Sequence, residues 1–150
     1  MKSNLRNYTS SVPVQKTILR IELALIKAGA IGIIKQYKEE RLEAISFSIP
    51  SPNKWPIAIR LPANVDAVYR ILTGSRNIQS EKSWREQAER TAWKLMQDWV
   101  EIQLSLIKME QVEMLQVFLP YVWDGKQTYY SYLKANGFKL LPSGKKENKE

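Results

Sequence analysis

The side chains that could carry out acid–base or metal chemistry in this chain are limited to carboxylates, hydroxyls and amines. Its 150 residues include no histidine and no cysteine. Histidine is the commonest general base and zinc ligand, and cysteine supplies thiolate nucleophiles, thiolate metal ligands and disulfides. The composition therefore excludes His-containing catalytic triads, cysteine nucleophiles, thiolate metal sites and disulfide scaffolds.

Carboxylates near the predicted sheet are the remaining candidates for enzymatic chemistry, because metal-dependent nucleases and glycosidases work with Asp and Glu alone. The candidates are Glu39, Glu40, Glu43 and Asp66. No Asp-x-Lys or Glu-x-Lys arrangement follows Glu43, and Glu39 and Glu40 fall in a predicted turn where solvation explains them. We therefore predict a protein that is not an enzyme and has no metal site, and a carboxylate-dependent metal enzyme is the third alternative.

Loops that bind nucleotide phosphates are also missing from the sequence. There is no Gly-x-x-x-x-Gly-Lys-Ser/Thr pattern, and the glycines at 29 and 32 lie between a predicted helix and a strand. A dinucleotide fingerprint needs the opposite order, in which the strand precedes the glycines and the helix follows them. We predict no cofactor.

Basic residues are in excess and unevenly distributed. The formal net charge is +8, and residues 1–80 carry 12 basic and 5 acidic side chains. A basic surface attracts polyanions and speeds their encounter, and aromatic side chains can stack on unpaired bases. The predicted nucleic-acid-binding residues are Arg20, Lys27, Lys35, Arg60, Arg70, Arg76, Lys82, Arg85, Tyr37, Trp55 and Trp84. Each has an alternative interpretation, as a solvated cation or as a partly buried aromatic anchor.

Hydrophobic periodicity predicts a helix followed by three strands. Val14, Ile18, Ile21 and Leu25 repeat with helical spacing, and Leu19, Leu23 and Ile26 widen that apolar face, which predicts a heavily buried helix over residues 12–28. Strict alternation then predicts strands around 31–38, 44–49 and 55–61, and the short links between them favour an antiparallel meander. Pro56 lacks an amide donor, so the third strand is expected at an edge.

One face of the predicted sheet is unusual because its residues are small or polar. These residues are Ala44, Ser46, Ser48, Ala58 and Arg60, with Lys35 nearby. Two interpretations remain open. The face is either a solvated platform for a ligand or a surface on which a second helix lies closely, and the number of predicted helices favours the second.

The second half of the chain is predicted to be helical. Asn64 and Gly74 bound a short helix, and a seven-residue apolar repeat predicts a long helix over about residues 80–108. A last helix follows near 128–135; we expect Tyr129 and Leu133 in the core and Tyr130 at an interface. Residues 1–11 are predicted to be a flexible arm and 142–150 a disordered tail, which leaves one domain over 12–141.

The order of one helix, three strands and another helix resembles the double-stranded-RNA-binding domain, and Ser83 to Leu95 is similar to that family's second helix. The strands with a long helix also resemble the core of single-strand annealing proteins from phages. Residues 12–141 as a whole resemble small uncharacterised proteins of phages and mobile elements, which implies a phage-like protein but no particular function.

These observations predict an α+β domain in which a three-stranded antiparallel meander is packed by an N-terminal helix and a long central helix. The predicted function is non-enzymatic binding to the phosphate backbone of DNA or RNA. The alternative is a protein-interaction module, such as a phage-encoded inhibitor or assembly factor, that forms an oligomer or binds a host protein through helical and Tyr-rich surfaces. We expect a cytoplasmic protein without a membrane partner, because no targeting segment or sufficiently long apolar run is visible.

Overall fold

A computed structural model of the chain describes residues 5–74 and 81–144. Within these ranges the elements are α1 (Val14–Lys27), β1 (Gly32–Lys38), β2 (Arg41–Ile49), β3 (Ile57–Pro62), α2 (Val65–Thr73), α3 (Glu81–Lys108), α4 (Met114–Phe118), a 3₁₀ turn (Leu119–Tyr121) and α5 (Tyr129–Ala135). The three strands form one antiparallel sheet in the order β1-β2-β3. The predicted α+β fold, with its long central helix and helical C-terminal half, is confirmed.

The β1–β2 hairpin is closed by two glutamates in an uncommon backbone conformation. Glu39 has φ 51° and Glu40 has φ 65°. Positive φ at both central residues is what a type I′ turn requires, because its twist matches that of the flanking strands. Asn-Gly normally occupies these positions, so the hairpin forms here in spite of its turn residues.

A β-bulge in β2 changes which side chains share a face. Gln36 pairs with Ala44 whereas Tyr37 pairs with Leu42, so Glu43 is an extra residue between two paired positions. An inserted residue of this kind bends the strand and re-aims its side chains. As a result, Glu43 comes within 3.7 Å of Arg60 on the face that points away from the helices.

The core lies between the other face of the sheet and the helices. Ile45 and Phe47 of β2 are almost fully buried, as are Trp93 and Val100 of α3. Phe118 of α4 is completely buried. Its ring packs edge-on against Phe47 at a centroid separation of 5.3 Å and against Trp99 at 5.7 Å. This aromatic cluster joins the sheet, the long helix and the C-terminal half in one core.

Four predictions about burial or bounds are wrong. Leu19, Leu23 and Ile26 of α1 are more than half exposed, because the sheet and α3 cover only the side of the helix that carries Ile21 and Leu25. The second strand begins at Arg41 rather than at residue 44, and the third begins at Ile57 rather than at residue 55. In α5, Leu133 is buried as expected, but the Tyr129 residue is exposed.

The N-terminal segment contacts α3 through polar groups. Asn7 and Arg6 both donate to the Asp98 carboxylate, at 2.9 and 3.1 Å, and the Gln87 amide donates to the Tyr8 carbonyl oxygen at 3.0 Å. The mobility of residues 1–11 stays a prediction, as does that of the tail, most of which lies outside the described residues.

Within residues 5–74 and 81–144, no helix is both long enough and apolar enough to cross a lipid bilayer.

Candidate nucleic-acid interface

Lys35 and Arg60 lie on opposite faces of the sheet. Lys35 pairs with Ile45 and Arg60 pairs with Ser46. Neighbouring residues on a strand project to opposite faces, so the Lys35 side chain points toward α1 while Arg60 points away from the helices. These two cations cannot belong to one concave surface. The prediction that Lys35 lies near the small-residue face is therefore wrong.

The charge of Lys35 is balanced by a neighbouring carboxylate. Its Nζ lies 3.1 Å from Oε1 of Glu22 on α1. The hydrogen bond to Glu22, together with the negative charge, raises the pKa of Lys35. Tyr37 lines the same cleft between α1 and the sheet, and its ring is exposed.

Asp66 of α2 pairs with Arg85, and the charge of Arg70 also acts on it. Arg85 donates to the Asp66 carboxylate, and its guanidinium lies 4.6 Å from the centre of the Tyr69 ring. The pKa of Asp66 is lowered, mainly by the hydrogen bond from Arg85, with smaller contributions from the charges of Arg85, Arg70 and Lys38. The charge of Arg85 is therefore balanced by Asp66.

The remaining predicted residues are spread over the surface. Arg20 and Lys27 lie on the exposed side of α1, and Lys82 and Trp84 lie in the first turns of α3. Trp55 is 77% exposed in the loop between β2 and β3. Arg76 lies outside the described residues. The predicted set thus does not form a single site.

Arg60 explains the small residues of the outer sheet face. Its Nε donates to Oε1 of Gln36 at 2.8 Å, so the side chain reaches from β3 to β1 across β2. Ala44 and Ser46 lie on β2 between the two ends of this bridge and are almost inaccessible to solvent. Side chains of this size leave room for an arginine to lie flat. The expectation of a closely packed second helix on this face is therefore wrong.

Trp123 packs against the guanidinium of Arg60. The Arg60 Cζ atom lies 5.1 Å from the centre of the Trp123 ring, a cation–π distance. The Trp123 amide donates to the Ala58 carbonyl oxygen at 2.9 Å, and Val122 forms a bridge with Ile59. The segment after the 3₁₀ turn thus continues the sheet for one step beyond β3.

A tight turn fixes the position of Trp123. Oδ1 of Asp124 accepts hydrogen bonds from the amides of Lys126 and Gln127, both at 2.8 Å. These two amides lower the pKa of Asp124, the bond from Gln127 contributing most. Because this carboxylate is occupied with the turn, it holds the loop in place.

A cleft of about 490 Å³ opens beside this turn, and we refer to it as the Trp123 cleft. Its lining consists of Arg60, Pro62, Pro120, Tyr121, Trp123, Lys126, Gln127, Thr128, Tyr130 and Ser131. Two cations and three aromatic rings are present and no carboxylate lines the cleft. The side chain of Thr128 caps α5 by accepting from the Ser131 amide at 3.2 Å, which places Tyr130 in the first turn at the rim.

Two other clefts in the described part of the chain differ in charge. The one between α1 and the sheet contains Glu22, Glu86 and Glu89, and the one beside α2 contains Glu43 and Asp66. Carboxylates repel phosphate. Both of these clefts are therefore less suited to a polyanion than the Trp123 cleft, whose lining has cations but no carboxylate.

Sequence reasoning missed Trp123, Lys126 and Tyr121 as members of a site. A signal was present, since residues 121–126 combine two aromatic residues with a lysine around a predicted Gly turn. What could not be read from the sequence is that this turn lies beside Arg60.

Within the described ranges, no three carboxylates converge as a metal-ligand set. No protein-family model matches the chain, and neither a curated protein nor a solved structure is significantly similar to it.

Proposed function

We propose that this chain is a non-enzymatic nucleic-acid-binding protein that holds single-stranded DNA or RNA in the Trp123 cleft. The observation that carries the proposal is the combination of three aromatic rings and two cations in one cleft that no carboxylate lines. Stacking on aromatic rings and contacts from cations to phosphates are the two interactions by which proteins bind single strands without sequence preference.

The individual side chains suggest a division of roles. Tyr130 is half exposed and offers a ring for stacking with a base. Lys126 is exposed and offers a phosphate contact. Arg60 keeps only limited exposure, and its donors already serve Gln36 and Glu43, so its role is to orient Trp123.

The exposed cations on α1 support the same function. Arg20 and Lys27, together with Lys16, lie on one side of the helix, and no carboxylate among the described residues lies within ion-pair distance of them. Cations that lack protein partners are free to displace counterions from a nucleic-acid backbone. They add affinity without adding sequence specificity.

The test is fluorescence anisotropy with labelled single-stranded and duplex DNA and RNA at low and moderate salt. Tyr130→Leu removes the ring at the cleft, and Tyr132→Leu is a matched control, since Tyr132 is exposed on the same helix but does not line the cleft. Stacking is worth about 1–3 kcal/mol per base, so Tyr130→Leu should weaken single-strand binding roughly tenfold. The control should change it little.

Two results would contradict the proposal. Absence of binding to every nucleic acid at low salt would show that the protein does not bind nucleic acid. Equal losses of single-strand affinity in Tyr130→Leu and Tyr132→Leu would show that the strand does not bind in the Trp123 cleft.

A protein-interaction module is the second candidate, and the C-terminal surface favours it. Tyr129 and Tyr132 stack with their ring centres 6.3 Å apart, and Leu140 and Leu141 are at least half exposed beyond them. Exposed aromatic and apolar clusters mark interfaces. Binding that resists salt and depends on Tyr132 rather than Tyr130 would favour this candidate. The phage-like origin stays a prediction.

A further inference from the structure

The two edges of the sheet differ in whether another segment of the chain pairs with the edge strand. Beyond β3, the segment at Val122 and Trp123 pairs with the strand, which Pro56 precedes and Pro62 ends. Beyond β1, no described residue pairs with the strand. An exposed edge strand is a template for pairing with another chain unless charge, proline or a covering element protects it.

An exposed apolar stripe on α1 lies next to this open edge. Glu22 of α1 contacts Lys35 of β1. At 100° per residue, the side chains that follow Glu22 around the helix, away from the buried side, are Ile26, Leu19 and then Leu23. Ile26 and Leu19 therefore lie beyond β1, on the side where a further strand would be added, and Leu23 continues the stripe onto the outer side of the helix.

The open edge contributes apolar side chains of its own. Ile31, Ile34 and Tyr37 are each more than 60% exposed. Leu19 and Tyr37 line the same cleft, so the helix stripe adjoins the α1 side of the strand edge. Ile34 pairs with Ser46 and therefore lies on the opposite side of the sheet, at the same edge. We call these six residues the α1–β1 surface.

We propose that the α1–β1 surface is the interface of a homodimer, in which β1 pairs antiparallel with β1 of a second copy and the two α1 stripes pack against each other. This goes beyond the nucleic-acid function and does not depend on it. The pairing would produce one continuous six-stranded sheet with both α1 helices on the same face. A twofold arrangement of this type closes on itself and leaves no free edge at β1.

The area is sufficient for a second copy of this chain. Six side chains that are more than half exposed leave on the order of 600 Å² of apolar surface in water on the two sides of the β1 edge, an area comparable with the largest patch on a typical monomer. Two copies would bury about 1,200 Å² of side-chain surface, which reaches the lower end of stable interfaces before backbone pairing is counted.

Charge selects the register of the pairing. A twofold axis at Lys35 would place two lysines opposite each other, which destabilises a strand pair. An axis at Ile34 instead places Lys35 opposite Ile33 and Ile31 opposite Tyr37 of the second copy. Lys35 does not block this arrangement, because its ammonium group is paired with Glu22 of α1.

The experiment is sedimentation velocity over a concentration series of the full chain, with matched lysine substitutions. Wild type should approach twice the chain mass of 17.4 kDa. Leu23→Lys and Ile34→Lys should each shift the equilibrium to monomer, because each places a charge in the interface. Ile71→Lys is the control, since Ile71 is equally exposed but lies on α2, and it should dimerise like wild type.

A monomer at every concentration overturns the proposal, as does loss of the dimer in Ile71→Lys to the same degree as in the other two variants. Circular dichroism of each variant shows whether it is folded. Co-sedimentation of a monomeric wild type with phosphatidylserine-containing vesicles would assign the surface to a membrane and would also overturn it. Fluorescence anisotropy with Leu23→Lys separates the two proposals. If this variant is monomeric and still binds single strands, dimerisation and nucleic-acid binding are independent.

Discussion

The guanidinium of Arg60 lies 5.1 Å from the ring centre of Trp123, while its Nε donates to the side chain of Gln36 at 2.8 Å. One side chain on β3 therefore connects β1, on the far side of β2, with the turn that follows the 3₁₀ segment. Ala44 and Ser46 are small because this arginine lies over them. The same contact holds Trp123 at the wall of the cleft.

Arg60→Met tests this bridge. Methionine keeps most of the aliphatic part of the side chain but loses the hydrogen bond to Gln36 and the cation–π contact with Trp123. The free energy of unfolding measured in urea should therefore fall by about 1–2 kcal/mol. Arg20→Met is the matched control on the exposed side of α1 and should leave the free energy unchanged. Equal effects in the two variants would show that the bridge contributes nothing.

The hairpin turn offers a stabilising change. Glu39 and Glu40 both have positive φ, which costs a residue with a side chain roughly 1–2 kcal/mol. The double substitution Glu39→Asn and Glu40→Gly should raise the midpoint of thermal unfolding, because Asn-Gly prefers this turn. Glu86→Gly in α3 should lower it, since glycine destabilises a helix interior. An unchanged midpoint in the turn variant would argue against the type I′ conformation.

Stability in acid should depend on Asp66. Its pKa is lowered in the folded protein, first by the hydrogen bond from Arg85, so its contribution is complete above the unfolded-state pKa of about 4 and is lost as the pH falls further. Asp66→Asn should therefore destabilise the protein at neutral pH and have a smaller effect near pH 2. The effect is modest, because the carboxylate is largely exposed. Thermal unfolding across this range checks it, and a difference independent of pH would contradict it.

The salt dependence of nucleic-acid binding should respond to Lys126. Each phosphate contact to a single strand contributes about 0.7 to the slope of log affinity against log salt. Lys126→Gln should reduce the slope by roughly that amount, whereas Lys139→Gln, an exposed change outside the cleft, should have less effect. Identical slopes for wild type and Lys126→Gln would mean that Lys126 does not contact phosphate.

The aromatic cluster should dominate the stability of the C-terminal half. Phe118 is completely buried between Phe47 and Trp99, so Phe118→Ala should cost about 3–5 kcal/mol in urea unfolding. Leu119→Ala, at the next and exposed position, should cost much less. A small loss in Phe118→Ala would mean that α4 is not integral to the core.

The sequence by itself determined the elements and most of their limits. The helix from Val65 to Thr73 begins at Asn64, whose side chain accepts from the Ala67 amide at 3.1 Å, and ends at Gly74 with φ 59°. Caps, alternation and helical spacing act between residues close in the chain, so they can be read from the sequence.

The tertiary structure alone decided what each face contacts. Leu19, Leu23 and Ile26 belong to an apolar pattern, but the pattern does not state how much of a helix its neighbours will cover. Likewise, nothing local shows that Arg60 crosses β2 or that Trp123 packs on its guanidinium. These contacts join residues far apart in the chain. The type of a side chain determines what it can bind, but the packing of distant elements determines which side chains are its neighbours. The candidate site could therefore be identified only in the folded chain.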